Sequence, residues 1–229
     1  LLPGSWRCYS RYSSKAAPRK ISLQLAGSGM RVLIIGAKGE IAKAVAPLLT
    51  EQGVEVVTAS RSSGDVFVDA TNPHSVEEMF RKIPSIEGVI CAFGASVPIK
   101  NVDEITVEDL EKGAQQKLFS QISIATTALR HMDKGSIILT GGIVGQKVLI
   151  EGGSILSFVN GALAAFVRAW DTKKNVRINL VSPTLLTSSE KEYGTYFPGI
   201  EPVTANRAAK GYVQALLGPY KGENIEIHG

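Results

Sequence analysis

The stretch Met30-Arg31-Val32-Leu33-Ile34-Ile35-Gly36-Ala37-Lys38-Gly39-Glu40-Ile41-Ala42 decides the fold. Four apolar residues, Val32 to Ile35, read as a short strand buried on both faces, and two glycines three apart follow at once. A strand that runs through such a turn into a helix opens a βαβ unit. Glycines there let the backbone approach a pyrophosphate, and the free amides and dipole of the helix start favour negative charge. Gly36, Lys38, Gly39, Glu40 and Ile41 are therefore candidate phosphate-binding residues. The same turn also serves plain helix-strand packing, and the usual third glycine is Ala42.

Outward from this turn, short apolar runs alternate with longer amphipathic segments, the pattern of a parallel sheet with crossover helices. Strands are expected at Val54 to Val57, Val66 to Val68, Gly88 to Ala92, Ser136 to Leu139, Arg177 to Val181 and Asn224 to Ile227. Pro73 suits the first turn of a helix running to Lys82. From Thr106 to Met132, Leu110, Ala114, Leu118, Ile122, Ala125 and Leu129 fall at helical spacing, which predicts one long helix with a buried stripe. Helices are expected also over Ser154 to Trp170 and Thr204 to Leu217. The fold class that follows is α/β, a doubly wound parallel sheet of about seven strands with helices on both faces, formed by a single Rossmann domain over 29–229.

Composition narrows the partners. Residues 1–28 hold 5 of the 25 basic residues and no acid, which leaves 20 basic against 21 acidic residues in the remainder. A neutral body lacks the clustered cations that nucleic acid requires, so no nucleic-acid partner is expected. The longest apolar stretch, Ile155 to Val167, contains Ser157, Asn160 and Gly161 and is too short to span a bilayer. Two cysteines, Cys8 and Cys91, give neither a disulfide framework nor a metal-ligand cluster. The Arg-rich, Ser-rich, acid-poor segment 1–28 reads as an organellar transit peptide, mitochondrial ahead of plastid, or as a basic tail or docking arm, in which case the protein is cytoplasmic.

After the second strand, an acidic residue would accept hydrogen bonds from an adenosine ribose with a free 2′-hydroxyl. The sequence instead reads Ser60-Arg61-Ser62-Ser63, whose guanidinium and hydroxyls suit a 2′-phosphate, with Lys38 as a second cation. NADP(H) is favoured over NAD(H), the alternative being a solvated turn.

Taken in order, the motifs from Met30 to Gly229 resemble the short-chain dehydrogenase/reductase family. Val68-Asp69 is similar to its adenine-contacting acidic residue, and Cys91-Ala92-Phe93-Gly94 to its Asn-Asn-Ala-Gly turn. Val181-Ser182-Pro183-Thr184 with Thr187 resembles its Pro-Gly segment that meets the nicotinamide carboxamide. The resemblance is nearest to small bacterial-type members with Ser-Arg-Ser-Ser after the second strand. It implies that Asp69, Ala92, Phe93, Gly94, Pro183, Thr184 and Thr187 join the cofactor site. The family's chemistry also needs a tyrosine to pass the proton, a lysine four residues later and a serine. Here Tyr is matched by Leu156, Lys by Asn160, and Ser by Gly141 or Gly142, while the family's structural asparagine falls near Gln116 or Lys117. No Tyr-x-x-x-Lys occurs in the chain. Asn160 either keeps a hydrogen bond to a ribose hydroxyl or is a packing residue. Tyr193, Tyr196, Lys147, Glu151 and Ser157 are the residues near enough in sequence to act as replacement acids, and packing or solvation accounts for each equally well.

The resulting expectation is an NADP(H)-binding protein without the Ser/Tyr/Lys set, a structural or regulatory subunit of a larger organellar assembly or a homodimer. Pairing would use the two long helices, where Gly161, Ala162, Ala164 and Ala165 permit close approach. The alternative is an active NADP-dependent oxidoreductase for a small carbonyl or alcohol with a non-standard proton donor. A dinucleotide-redox sensor is a third reading.

Overall fold

A computed structural model describes residues 29–94 and 96–229. Segment 1–28, with its targeting or docking reading and Cys8, lies outside the described residues. In chain order the elements are β1 (Arg31–Ile35), α1 (Glu40–Glu51), β2 (Glu55–Ser60), β3 (Val66–Phe67), α2 (Pro73–Lys82), β4 (Gly88–Cys91), α3 (Val107–Gly113), α4 (Ser120–His131) and β5 (Lys134–Thr140). They continue with α5 (Ser154–Arg168), β6 (Asn175–Pro183), the short α6 (Glu190–Tyr193), α7 (Ala205–Leu217) and β7 (Asn224–Ile227). The strands form one seven-stranded sheet of order β3-β2-β1-β4-β5-β6-β7, every pair parallel. The chain leaves β1 toward β2 on one side and returns to β4 on the other, so the order reverses at β1, where the Gly36 turn begins.

Alternation along the strands divides the core. Leu33 and Ile35 of β1 pack with Met79 and Phe80 of α2, Ile124 and Ala128 of α4, and Val159 and Leu163 of α5. Val32 and Ile34 face the opposite layer, where Val45 and Leu49 of α1 meet Tyr212, Ala215 and Leu216 of α7. Helix starts follow their capping residues: Asn72 Oδ1 accepts from the amides of His74 and Ser75 ahead of α2, Thr106 and Asp109 form a capping box at α3, and the Thr204 side chain accepts from Arg207 N at α7.

The expected long helix departs from its predicted form. Between α3 and α4 the chain stays helical but passes through a π-turn, Ala114–Phe119. A π-turn inserts one residue, which rotates everything beyond it by about 100° relative to a straight helix. The expected stripe is met at Ala114, Leu118 and Ala125 but not at Leu110, Ile122 and Leu129, which are half-buried, and beyond the π-turn Gln121, Ile124 and Ala128 share the buried face with Ala125. Gln121 then clamps β5, donating through Nε2 to Thr140 O at 2.9 Å and accepting from Thr140 N at 2.7 Å.

A second buried polar link crosses the sheet. Tyr212 is fully enclosed, and its hydroxyl lies 2.6 Å from Thr140 Oγ1, which donates in turn to Cys91 O at 2.5 Å. Tyr212→Phe removes this donor but leaves Thr140 bonded to Cys91. It is expected to cost about 1 kcal/mol, read as a shift in urea midpoint with an unchanged slope.

Candidate functional site

The C-terminal ends of the strands open onto a cleft of about 980 Å³, within the range typical of small-ligand sites. Its centre is the β1-α1 turn. Gly36 N and Ala37 N donate to Ala59 O at 2.9 and 3.2 Å, which folds the turn against β2. Gly36 has φ +103°, a conformation that side chains rarely adopt, and a Cβ there would lie 2.6 Å from Ala92 O. The N-cap of α1, Gly39, offers no side-chain cap. The first amides of that helix therefore have no acceptor within it, as an anion site requires.

Toward β2 and β3 the cleft is lined by Ser60, Arg61, Ser62 and Asp69. Ser60 Oγ accepts from Ser63 N at 3.0 Å and donates to Ser63 O at 2.5 Å, so this hydroxyl shapes the turn. Arg61 is exposed. Asp69 Oδ1 accepts from the Thr71 hydroxyl and amide at 2.7 and 3.0 Å, and these bonds hold its carboxyl below the usual range, with Arg61 adding to the effect. Asp69 stays ionised at neutral pH.

On the other side of the reversal, Ala92, Phe93 and Gly94 follow β4, Gly141 follows β5, and Pro183 and Thr184 end β6, all lining the same cleft with Lys38, Glu40 and Ile41. Thr184 Oγ1 is buried with no hydrogen-bond partner among the described residues, a polar group that a ligand would satisfy. Cys91 is enclosed and its thiol is pushed far up by burial, which makes it unreactive.

Two predicted residues do not line the cleft. The Thr187 hydroxyl donates to Val203 O at 3.1 Å and is spent on its own loop. Asn160 is 2% exposed, and its Nδ2 donates to Val144 O at 3.1 Å, so a direct ribose contact gives way to an internal role. That role is to hold a lysine. Lys117, in the π-turn, reaches across from the neighbouring helix and donates through Nζ to Asn160 Oδ1 at 2.9 Å and to Gly141 O at 2.8 Å. Lys117 is only 6% exposed, yet it lines the cleft beside Leu156. Burial draws its pKa down to about 8.

Sequence reasoning placed Lys117 near a structural position and gave it no chemistry. The available signal was a lysine four residues before a buried glutamine on the sheet-facing side of a helix. A side chain at the serine position would be crowded: a Cβ on Gly141 would lie 2.6 Å from Ser182 Oγ, and one on Gly142 3.0 Å from Asn160 Nδ2, so a neighbouring side chain would have to move. Of the replacement acids, Tyr193 lines the cleft, but its hydrogen bond to Glu192, with burial, raises its pKa and makes it a poorer proton donor. Tyr196 is exposed, and Lys147 pairs with Glu226 at 2.8 Å, outside the cleft lining.

A parallel sheet whose order reverses at a glycine turn, with an uncapped helix start in the crevice, defines a Rossmann-type doubly wound protein. A family model described as enoyl-(acyl carrier protein) reductase matches residues 17–214. The chain belongs to the short-chain dehydrogenase/reductase family. It is similar to the protein lin1944 from Listeria innocua, with 33% identity and a TM-score of 0.80 over 87% of this chain and 100% of that one. A small-chain dehydrogenase solved in complex with NADPH shares the fold at 21% identity, with a TM-score of 0.76 over 87% of this chain and 96% of the other. The short chain dehydrogenase/reductase dmxR18 of Cryptosporiopsis sp. is 24% identical over 200 residues, 84% of this chain and 74% of that protein. The uncharacterized oxidoreductase YhxC of Bacillus subtilis is 26% identical over 173 residues, 72% of this chain but only 58% of that relative. No helix among the described residues is long and apolar enough to cross a membrane.

Proposed function

We propose that the chain binds NADP(H) in this cleft and works without the family's Ser/Tyr/Lys relay, as a structural or regulatory subunit rather than as a turnover enzyme. One observation carries the reading. The groups suited to the dinucleotide converge on a single cleft, while the position of the proton-donating tyrosine holds Leu156, a hydrocarbon, and that of the serine holds a glycine crowded by neighbouring side chains. Losing a positioned proton donor costs roughly 10²–10⁴ in rate. The similar dehydrogenase solved with NADPH supports the choice of ligand. On the same reading, segment 1–28 carries the chain into an organelle, mitochondrion ahead of plastid. Phe119 and Phe158, exposed at 51% and 44% beside α4 and on α5, would seat a second copy or another subunit of an assembly.

A second reading, an NADP-dependent oxidoreductase for a small carbonyl or alcohol, is favoured by the Lys117 ammonium in the cleft, an acid with a pKa of about 8. Calorimetric titration with NADPH and NADH, followed by a carbonyl panel monitored for cofactor oxidation, separates the two. Tight NADPH binding without oxidation supports the first reading, and oxidation lost in Lys117→Met supports the second. Failure of both nucleotides to bind overturns the two together.

The 2′-phosphate assignment has its own check. Arg61→Ala is expected to weaken NADPH binding about ten- to hundredfold, the worth of one charge-assisted contact, and to leave NADH binding unchanged. Equal losses for the two would remove Arg61 from the phosphate.

A further inference from the structure

The Lys117 ammonium is a buried charge whose two acceptors, the Gly141 carbonyl and the Asn160 amide oxygen, are both neutral. Burial alone accounts for its lowered pKa, so no carboxylate compensates it. Such an arrangement is costly, and it leaves the cation's field to whatever enters the cleft. Lysine has three donors. Two are used, and the side chain still lines the cleft.

The sheet order fixes which part of a dinucleotide would meet it. With the pyrophosphate at the start of α1 and the adenosine half toward Arg61 and Asp69, the other half must cross the reversal toward the ends of β5 and β6. Gly141, Pro183 and Thr184 lie there, and Lys117 is bonded to the first of them. The nicotinamide ring is the one part of the cofactor whose charge changes with redox state, being neutral when reduced and a cation when oxidised. Leu156 in the adjoining turn supplies no anion to offset the ammonium.

We propose that Lys117, carried to the nicotinamide end by the π-turn and held there by Asn160, makes this cleft select the reduced dinucleotide over the oxidised one. The inference rests on the NADP(H) reading above. A fixed ammonium repels the oxidised pyridinium ring and is indifferent to the neutral dihydronicotinamide. NADPH and NADP⁺ carry the same phosphates, so the ratio of their affinities isolates the ring's charge. At protein-like permittivity that ratio is expected to be about tenfold.

The selectivity should follow the charge on Lys117. On the neighbouring elements, the titratable groups at the strand ends are the Cys91 thiol of β4 and the Tyr212 hydroxyl of α7, which bonds Thr140 of β5, both pushed up by burial. Helix α5 contributes the Asn160 amide to Lys117 and Leu156 to the cleft lining, both uncharged. Tyr193, from α6, is raised as well, and Lys38, Glu40, Arg61 and Asp69 lie on the α1 and β2-β3 side of the cleft.

The test is calorimetric titration of the whole chain with NADPH and with NADP⁺ at pH 6.5 and 9.5. The wild type should prefer NADPH about tenfold at the lower pH and lose most of that preference at the higher. Lys117→Met should bind the two equally at both. Asn160→Asp, which sets a carboxylate against an ammonium left in place, should also collapse the ratio, and with the wild-type pH series it decides the matter if the Lys117 variant does not fold. A wild-type ratio near one at pH 6.5, or a preference that survives these changes, overturns the inference. Failure of either dinucleotide to bind the wild type instead removes the NADP(H) reading itself.

Discussion

Raising the pH from 7 to 10.5 is expected to stabilise the wild-type protein by about 3 kcal/mol relative to Lys117→Met. In the folded chain, Lys117 loses its proton at about 8, against an ordinary value of 10.5. Between these values the unfolded chain binds the proton and the folded chain does not, so stability rises with pH across that window. The burial cost of the ammonium is thus fully present below pH 8 and is relieved by pH 10.5. At about 1.4 kcal/mol per pH unit the window gives the stated figure. Other lysines and tyrosines titrate here too, which is why the difference between wild type and Lys117→Met is the quantity to follow. Urea unfolding of both proteins at a series of pH values measures it, and parallel curves would show that Lys117 does not carry a buried charge.

Gly36→Val should do more damage to the site than a change at any cleft side chain. Valine must adopt φ +103° and place its Cβ 2.6 Å from Ala92 O, a backbone atom held by the Ala92 N to Ile35 O bond of 2.8 Å. Neither partner can yield without opening β1 from β4. The strain and clash together are expected to cost about 3 kcal/mol. Displacing the turn should also cut NADPH affinity about a hundredfold or more, because the amides at the start of α1 move with it. Gly94→Ala is the matched control, since its Cβ would meet nothing within 4 Å among the described residues. That variant should keep the wild-type unfolding midpoint, and a comparable loss there would indicate a general intolerance of the cleft rather than a specific one at Gly36.

Much of this architecture was legible in the sequence because each strand is an apolar run and each turn carries its own chemistry. Val32 to Ile35 with its glycines, and Asn72-Pro73 ahead of α2, needed no partner to be read. Strand ends were less legible. β2 continues through Thr58, Ala59 and Ser60, and β6 reaches Pro183, because parallel neighbours pair with them, and nothing local marks Ser or Pro for a strand. The π-turn left no periodic signature, since an inserted residue changes the phase of a helix without changing its composition. Most of the expected site positions come together in one cleft, Thr187 and Asn160 excepted, but the contacts among them were not legible. Lys117 and Asn160 stand 43 residues apart, and each looks misplaced when judged against its own helix. Only their meeting across two helices gives either a purpose.

The π-turn also bears on any attempt to build hybrids of this protein. A regular helix transplanted from a homologue into 107–131 would be one residue out of phase at one end or the other. Aligned on α3, it would swing Gln121 off the backbone of Thr140; aligned on α4, it would displace Ala114 and its neighbours from α5. No choice of side chains repairs that mismatch, because the fault lies in the residue count. The lysine-bearing site is therefore transferable only as a unit of backbone, and a chimera is best cut outside residues 106 to 132.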